Sequence, residues 1–219
     1  MPIDAACRHV VLFGGTFDPP HMAHVLLADQ ARQAYERSVG EPAMLVFVPA
    51  ARSPHKAQAP QASDAQRLEM LRLATAGLPR CAVWTDELDR AQPGQPSYWV
   101  DTLERARQAV GDRSLVFVIG ADQAERFHRW HRPRRMLELA GVLVLPRGDI
   151  RTPAQLREAM AASGRWTPQE LDRWAKAMVD AAGLPAASTE VRQAKGQPFE
   201  TPLHPAVLRY ARREHLYGL

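Results

Sequence analysis

The sequence predicts a doubly wound α/β fold, a parallel sheet of the Rossmann-like kind with helices on both faces. Three observations carry this. Short apolar runs alternate with helix-period segments through the first 150 residues; the runs are continuously apolar rather than alternating; and several stop abruptly at glycine or proline. A strand buried on both faces has no polar side, as in parallel sheets flanked by crossover helices. The 219 residues, 46% hydrophobic and 24% charged, suit one globular domain that needs no disulfide or metal staple. We expect an α/β core over residues 1–150 and a helical C-terminal portion over 151–219.

His9–Phe13 reads as the first strand, closed by Gly14-Gly15. After Pro19-Pro20, His21–Arg37 has no breaker and carries Leu26, Leu27 and Ala31 at helical spacing. Met44–Val48 is a second strand ending at Pro49. Asp64–Ala76 is a helix with Ser63 as its N-cap. Cys81–Trp84 is a third strand, Gln92–Ser97 a Pro/Gly loop, and Tyr98–Val110 a helix with Leu103 and Ala106 inward. Leu115–Ile119 is a fourth strand ending at Gly120. Ala121–Trp130 and Pro133–Leu139 read as helices, and Val142–Leu145 as a fifth strand. Beyond Thr152 only helices are expected: Pro153–Ala162, Thr167–Ala182 and Pro205–His215.

Composition excludes several function classes. No apolar run approaches the ~18 residues that span a bilayer, so no membrane partner is expected, and Met1–His9 lacks the pattern of a secretory signal. Cys7 and Cys81 form neither a disulfide framework nor a zinc motif, which suits a cytoplasmic protein. Lys+Arg 28 against Asp+Glu 24 gives a net charge of +4, and all but three of the bases are arginine. Dense basic character is confined to Arg126–Arg135, too little for a nucleic-acid footprint. Oligomeric state leaves no trace in the sequence.

In doubly wound sheets ligands bind beyond the carboxyl ends of the strands, where Gly14-Gly15, Pro49 and Gly120-Ala121-Asp122 lie. The segment Gly14-Gly15-Thr16-Phe17-Asp18-Pro19-Pro20-His21-Met22-Ala23-His24 is the most informative. Two glycines after a strand let backbone amides approach an anion, and the next helix aims its positive end at the same point. His21 and His24, three residues apart, share one helix face beside that loop and can donate to phosphate oxygens. A histidine pair can also hold a metal, but no third ligand stands nearby, so no protein-side metal site is expected. Gly-x-Gly-x-x-Gly and the P-loop pattern do not occur.

This segment resembles the Gly-Gly-Thr-Phe-Asp-Pro-x-His-x-Gly-His signature of the nucleotidyltransferase superfamily, and more narrowly that of bacterial nicotinate-nucleotide adenylyltransferases. Further blocks are similar and in the family's order: Val48–Lys56 ending in Pro-His-Lys, Asp86-Glu87-Leu88 followed by Ser97–Leu103, Phe117–Asp122 with Phe127 and Trp130, Ser188-Thr189-Glu190-Val191-Arg192, and a C-terminal helix followed by Leu216-Tyr217. The resemblance implies transfer of AMP from ATP to nicotinate mononucleotide, giving nicotinate adenine dinucleotide and pyrophosphate. It implies that Gly14, Gly15 and Thr16 hold phosphate, and that His21, His24 and Arg192 are catalytic. It also implies that Ser188 and Thr189 grip the β,γ-phosphates and that Gly120 and Asp122 meet the adenosine end. Lys56, Tyr98, Trp99 and Trp130 would form the mononucleotide side, with Trp130 stacking on the pyridine. Mg2+ would arrive on the ATP phosphates.

Bland alternatives stand beside these roles: a helix cap for Ser188 and Thr189, a loop lysine for Lys56, core packing for Trp130. Three positions depart from the family pattern. Ala23 replaces a Gly, Ala186-Ala187 replaces Ile-Ser, and Trp99 replaces the Thr that helps receive the nicotinate carboxylate. The rival readings are a sister transferase, acting on nicotinamide mononucleotide, phosphopantetheine or CTP, and a non-catalytic nucleotide-binding regulator.

Overall fold

The computed structural model of the chain describes residues 1–52, 59–92, 94–179 and 203–219. Five parallel strands form one sheet: β1 (His9–Gly15), β2 (Ala43–Pro49), β3 (Cys81–Val83), β4 (Ser114–Gly120) and β5 (Gly141–Leu145), in the order β3-β2-β1-β4-β5. The connecting helices are α1 (Met22–Val39), α2 (Asp64–Thr75), α3 (Asp86–Asp89), α4 (Trp99–Val110), α5 (Ala121–Glu125) and α6 (Pro133–Leu139). Beyond β5 come α7 (Pro153–Ala161), α8 (Pro168–Lys176) and α9 (Pro205–Arg213). This is the predicted doubly wound α/β fold. Chain order reverses between β1 and β4, the switch point at which sheets of this kind hold a ligand crevice outside the carboxyl ends of the strands.

Side chains of β1 alternate between two cores. Val10 and Leu12 pack with Val100, Leu103 and Ala106 of α4, and Val11 packs with Ala28 and Ala31 of α1 and Leu71 of α2. A third cluster joins Val25 of α1, Met70 of α2, and Val207 and Ala211 of α9. The C-terminal helix is thereby seated on the helix pair beside β1.

The Ser63 cap is present: its side chain accepts from the Gln66 amide and Gln66 returns a bond to the Ser63 amide. Two expectations are corrected. Ala121–Trp130 is not one helix; α5 stops at Glu125 and Phe127–Arg129 is a 3-10 turn, which sends the Phe127 ring into the core against Phe117 and Trp174. The helix expected over Thr167–Ala182 ends at Lys176. Past it the Val144 amide donates to the Ala177 carbonyl and the Val179 amide donates to the Val144 carbonyl, an isolated parallel bridge on the outer edge of β5. An open strand edge carries unpaired N–H and C=O groups, and satisfying them outweighs helix propensity here.

Candidate active site

β1 delivers Gly14 and Gly15 to the crevice, and both glycines are there for space rather than for backbone conformation. A β-carbon on Gly14 would lie 2.8 Å from Cζ3 of Trp99, and one on Gly15 would lie 2.9 Å from the Phe17 ring. Phe17 takes a left-handed φ of 50°, which turns its ring back under the loop, where it is 1% exposed. Such a backbone costs about 1–2 kcal/mol. Burial of the phenyl ring among Phe13, Phe47 and His24 offsets it.

The loop is held from three sides. The guanidinium of Arg67, wholly buried on α2, donates to the Thr16 carbonyl and to Asp64. Asp18 accepts from the amides of Gln61 and Ala62 at 2.7 and 3.1 Å and from the Tyr217 hydroxyl at 2.5 Å. A backbone held in this way is pre-ordered for an anion, so little conformational entropy remains to be lost on binding.

His21 is the N-cap of α1 and His24 its third residue. Nδ1 of His21 accepts from the His24 amide at 3.3 Å, and Nδ1 of His24 accepts from the His21 amide at 3.2 Å. The rings stack with centroids 3.5 Å apart and 15° between planes. With both Nδ1 atoms accepting, a neutral imidazole carries its proton on Nε2. Burial, reinforced by the Arg147 guanidinium, lowers the His21 pKa to about 4. The free site therefore presents His21 as a neutral donor rather than a cation, and a bound polyanion would favour its protonation.

Across the crevice, β4 ends at Gly120, and the Asp122 carboxylate folds back over it. A β-carbon on Gly120 would lie 2.5 Å from Asp122 Oδ1. That oxygen is buried without a hydrogen-bond donor among the described residues, 3.7 Å from Nε of Arg147. Tyr98 occupies the N-cap position of α4 without a side-chain cap bond and packs on the His131 ring at 4.3 Å, while Trp130 lies 5.2 Å from Phe127. Tyr98 and the Trp130 segment are thus neighbours although far apart in sequence.

Among the predicted site residues the structure gathers Gly14, Gly15, Thr16, His21 and His24 at the end of β1, and Gly120 and Asp122 at the end of β4. It places Tyr98, Trp99 and Trp130 on the segments beside them. Lys56, Ser188, Thr189 and Arg192 lie outside the described residues. Sequence reasoning missed four contributors. Arg147 follows β5 on the same carboxyl edge, so the rule that pointed to Gly120 would have found it. Arg67, His131 and the bond from Tyr217 to Asp18 depend on contacts distant in sequence and leave no local signal. No cluster of three or more potential metal-ligating His, Cys, Asp or Glu side chains occurs among the described residues, and no helix among them is long and apolar enough to cross a membrane.

The cytidylyltransferase-like family profile matches residues 12–194. Relatives described as "Probable nicotinate-nucleotide adenylyltransferase" align over nearly the whole chain: the Synechococcus sp. protein is 33% identical over 99% of this chain and 98% of its own length. The Chromobacterium violaceum protein is 35% identical over 95% of this chain and 98% of its own. The chain belongs to the nicotinate-nucleotide adenylyltransferase family. Its fold is that of the Plasmodium falciparum nicotinic acid mononucleotide adenylyltransferase complexed with NaAD, with a TM-score of 0.64 over 96% of this chain and 97% of that one at 13% identity. Against the nicotinate-nucleotide adenylyltransferase signature, the Gly-to-Ala change at Ala23 puts a 9%-exposed methyl on α1. The Thr-to-Trp change at Trp99 puts an indole against Gly14.

Proposed function

We propose that the protein transfers AMP from ATP to nicotinate mononucleotide, releasing pyrophosphate and forming nicotinate adenine dinucleotide. The observation that carries this reading is the reciprocal His21–His24 pair at the junction of the glycine loop and α1. A mononucleotide phosphate oxygen, already ionised near neutral pH, attacks the α-phosphorus of ATP. The bond from that phosphorus to the bridging oxygen breaks, and its electron pair leaves with pyrophosphate. No general base is required, so the task is alignment and stabilisation of charge building on the α-phosphate and leaving group. The Nε2 protons of His21 and His24, the amides at Gly14, Gly15 and Thr16, and the N-terminal end of α1 are the donors suited to it.

Asp122 and Gly120 stand at the adenosine end, and the unmet acceptor on Asp122 suits a ribose hydroxyl. Tyr98, Trp99 and Trp130, with Lys56 from the segment after β2, would receive the mononucleotide. Ser188, Thr189 and Arg192 would close on the β,γ-phosphates. The donor set of imidazole, guanidinium and amide suits phosphate rather than Mg2+, so the ion would ride on the ATP oxygens and neutralise part of their charge. The two cysteines, both free, suit work in a reducing cytoplasm.

Trp99 favours a second reading, adenylylation of nicotinamide mononucleotide, because an indole stands where the family has a threonine for the carboxylate. Purified protein with Mg-ATP and each mononucleotide in turn decides between them by pyrophosphate release. A clear preference for nicotinate mononucleotide supports the first reading, a preference for the amide selects the second, and no release with either removes both.

A further inference from the structure

Glu87, the second residue of α3, is a carboxylate in an unusual position. It is 4% exposed, yet no guanidinium among the described residues is bonded to it. The nearby Arg105 donates instead to Asp86 at 2.7 Å and approaches Thr102 Oγ1 at 3.4 Å. Oε1 of Glu87 accepts from Thr102 Oγ1 at 2.8 Å, and the Ser97 side chain and the Ala51 amide are close enough to favour its charged form. Burial pushes the carboxyl above its usual value, and these donors only partly offset that. Keeping an acid here costs stability, so its use lies in what it joins.

These three groups come from three pieces of chain. Ala51 lies just past β2, where the chain runs toward Lys56; Ser97 immediately precedes Tyr98 and Trp99; Thr102 is in the first turn of α4. The first two pieces are clasped directly as well. The Ser97 amide donates to the Arg52 carbonyl at 2.9 Å, and the Arg52 amide donates to Ser97 Oγ at 3.3 Å. Glu87 is bonded to Thr102 in the helix that follows the clasp, and a group from each side of the clasp acts on its carboxylate.

We propose that Glu87 is a positioning residue for the mononucleotide half of the site, fixing the segment that leaves β2 against the Ser97–Trp99 segment. It does so from the protein interior, without contact to substrate. The inference rests on the assignment of Lys56, Tyr98, Trp99 and Trp130 to the mononucleotide.

Steady-state kinetics of the full-length chain tests it through Glu87→Gln, which keeps the volume but replaces one acceptor oxygen by a donor. The expected result is a mononucleotide KM raised about tenfold or more, with the ATP KM and kcat each within about threefold of wild type. Thr102→Val, which removes the bonded donor and leaves the acid in place, should shift the same constant by a smaller factor, and it serves if Glu87→Gln does not fold. Calorimetric titration with the mononucleotide alone should show the same loss of affinity. Equal rises in both KM values, or a lowered Tm with both KM values unchanged, overturns the proposal. Trp130→Ala is the control for the underlying assignment: if it leaves the mononucleotide KM unchanged, the assignment fails, whereas if it raises that KM and Glu87→Gln does not, only the role of Glu87 is lost.

Discussion

The Trp99 indole lies across Gly14 so closely that a β-carbon there would come within 2.8 Å of Cζ3 and 2.9 Å of Cη2. The ring and the glycine are one unit: an aromatic from α4 occupies the space that a side chain on the first residue of the anion loop would need. Gly14→Ala should push Trp99 off its seat and cost about 1–3 kcal/mol by overpacking. Chemical denaturation and tryptophan emission measure the two effects, and Gly14→Ala/Trp99→Ala should recover much of the stability. No recovery in the double variant would mean that Trp99 is not what excludes a methyl at Gly14.

His24→Ala should lower kcat by about 10²–10³-fold if His24 is a transition-state donor. Losing its half of the reciprocal cap should also cost about 0.5–2 kcal/mol. Rapid-mix measurement of pyrophosphate release reads the first and urea unfolding the second. Full turnover in this variant removes His24 from catalysis.

The depressed pKa of His21 makes stability depend on pH in a defined direction. Its folded value of about 4 lies below the ordinary 6.5. Between those limits the unfolded chain binds a proton that the folded chain does not, so stability is full above the window and falls as pH drops through it. The loss is at most about 3 kcal/mol. His21→Asn, which keeps a capping oxygen, should flatten this dependence in urea unfolding at pH 7 and pH 4.5, and identical slopes in the two proteins would assign the effect to other groups.

Tyr217→Phe removes one of the three donors to Asp18 among the described residues and should cost about 1–2 kcal/mol. If the bond also orders the anion loop, the ATP KM should rise more than the mononucleotide KM. A change in stability with both constants unmoved would make Tyr217 a purely structural tether.

What could be read from the sequence followed the range of the interactions. The strand, loop and helix from His9 to Val39 are contiguous, and each boundary carries its own cue, so the fold class and the His21–His24 pairing were legible. The end of α8 was not, because it is decided by the edge of β5 at Val144, more than thirty residues upstream. Arg67 is another case: an arginine beside Asp64 on a polar-looking helix reads as solvated, and only the fold puts it at zero exposure under Thr16. Tyr217 reaches the site in the same non-local way.

The bridge from Ala177 and Val179 to Val144 bears on how copies of the chain meet. One border of the sheet is β3, only three residues long, and the other is capped along part of β5 by this bridge. Among the described residues neither border offers a long ladder of free amides to a second molecule. Cys81, on the short border, has its thiol pushed up to about 12 by burial, so almost none of it is thiolate at neutral pH. Sheet extension and disulfide cross-linking, two common ways for concentrated protein to aggregate, are both disfavoured along the borders of this sheet.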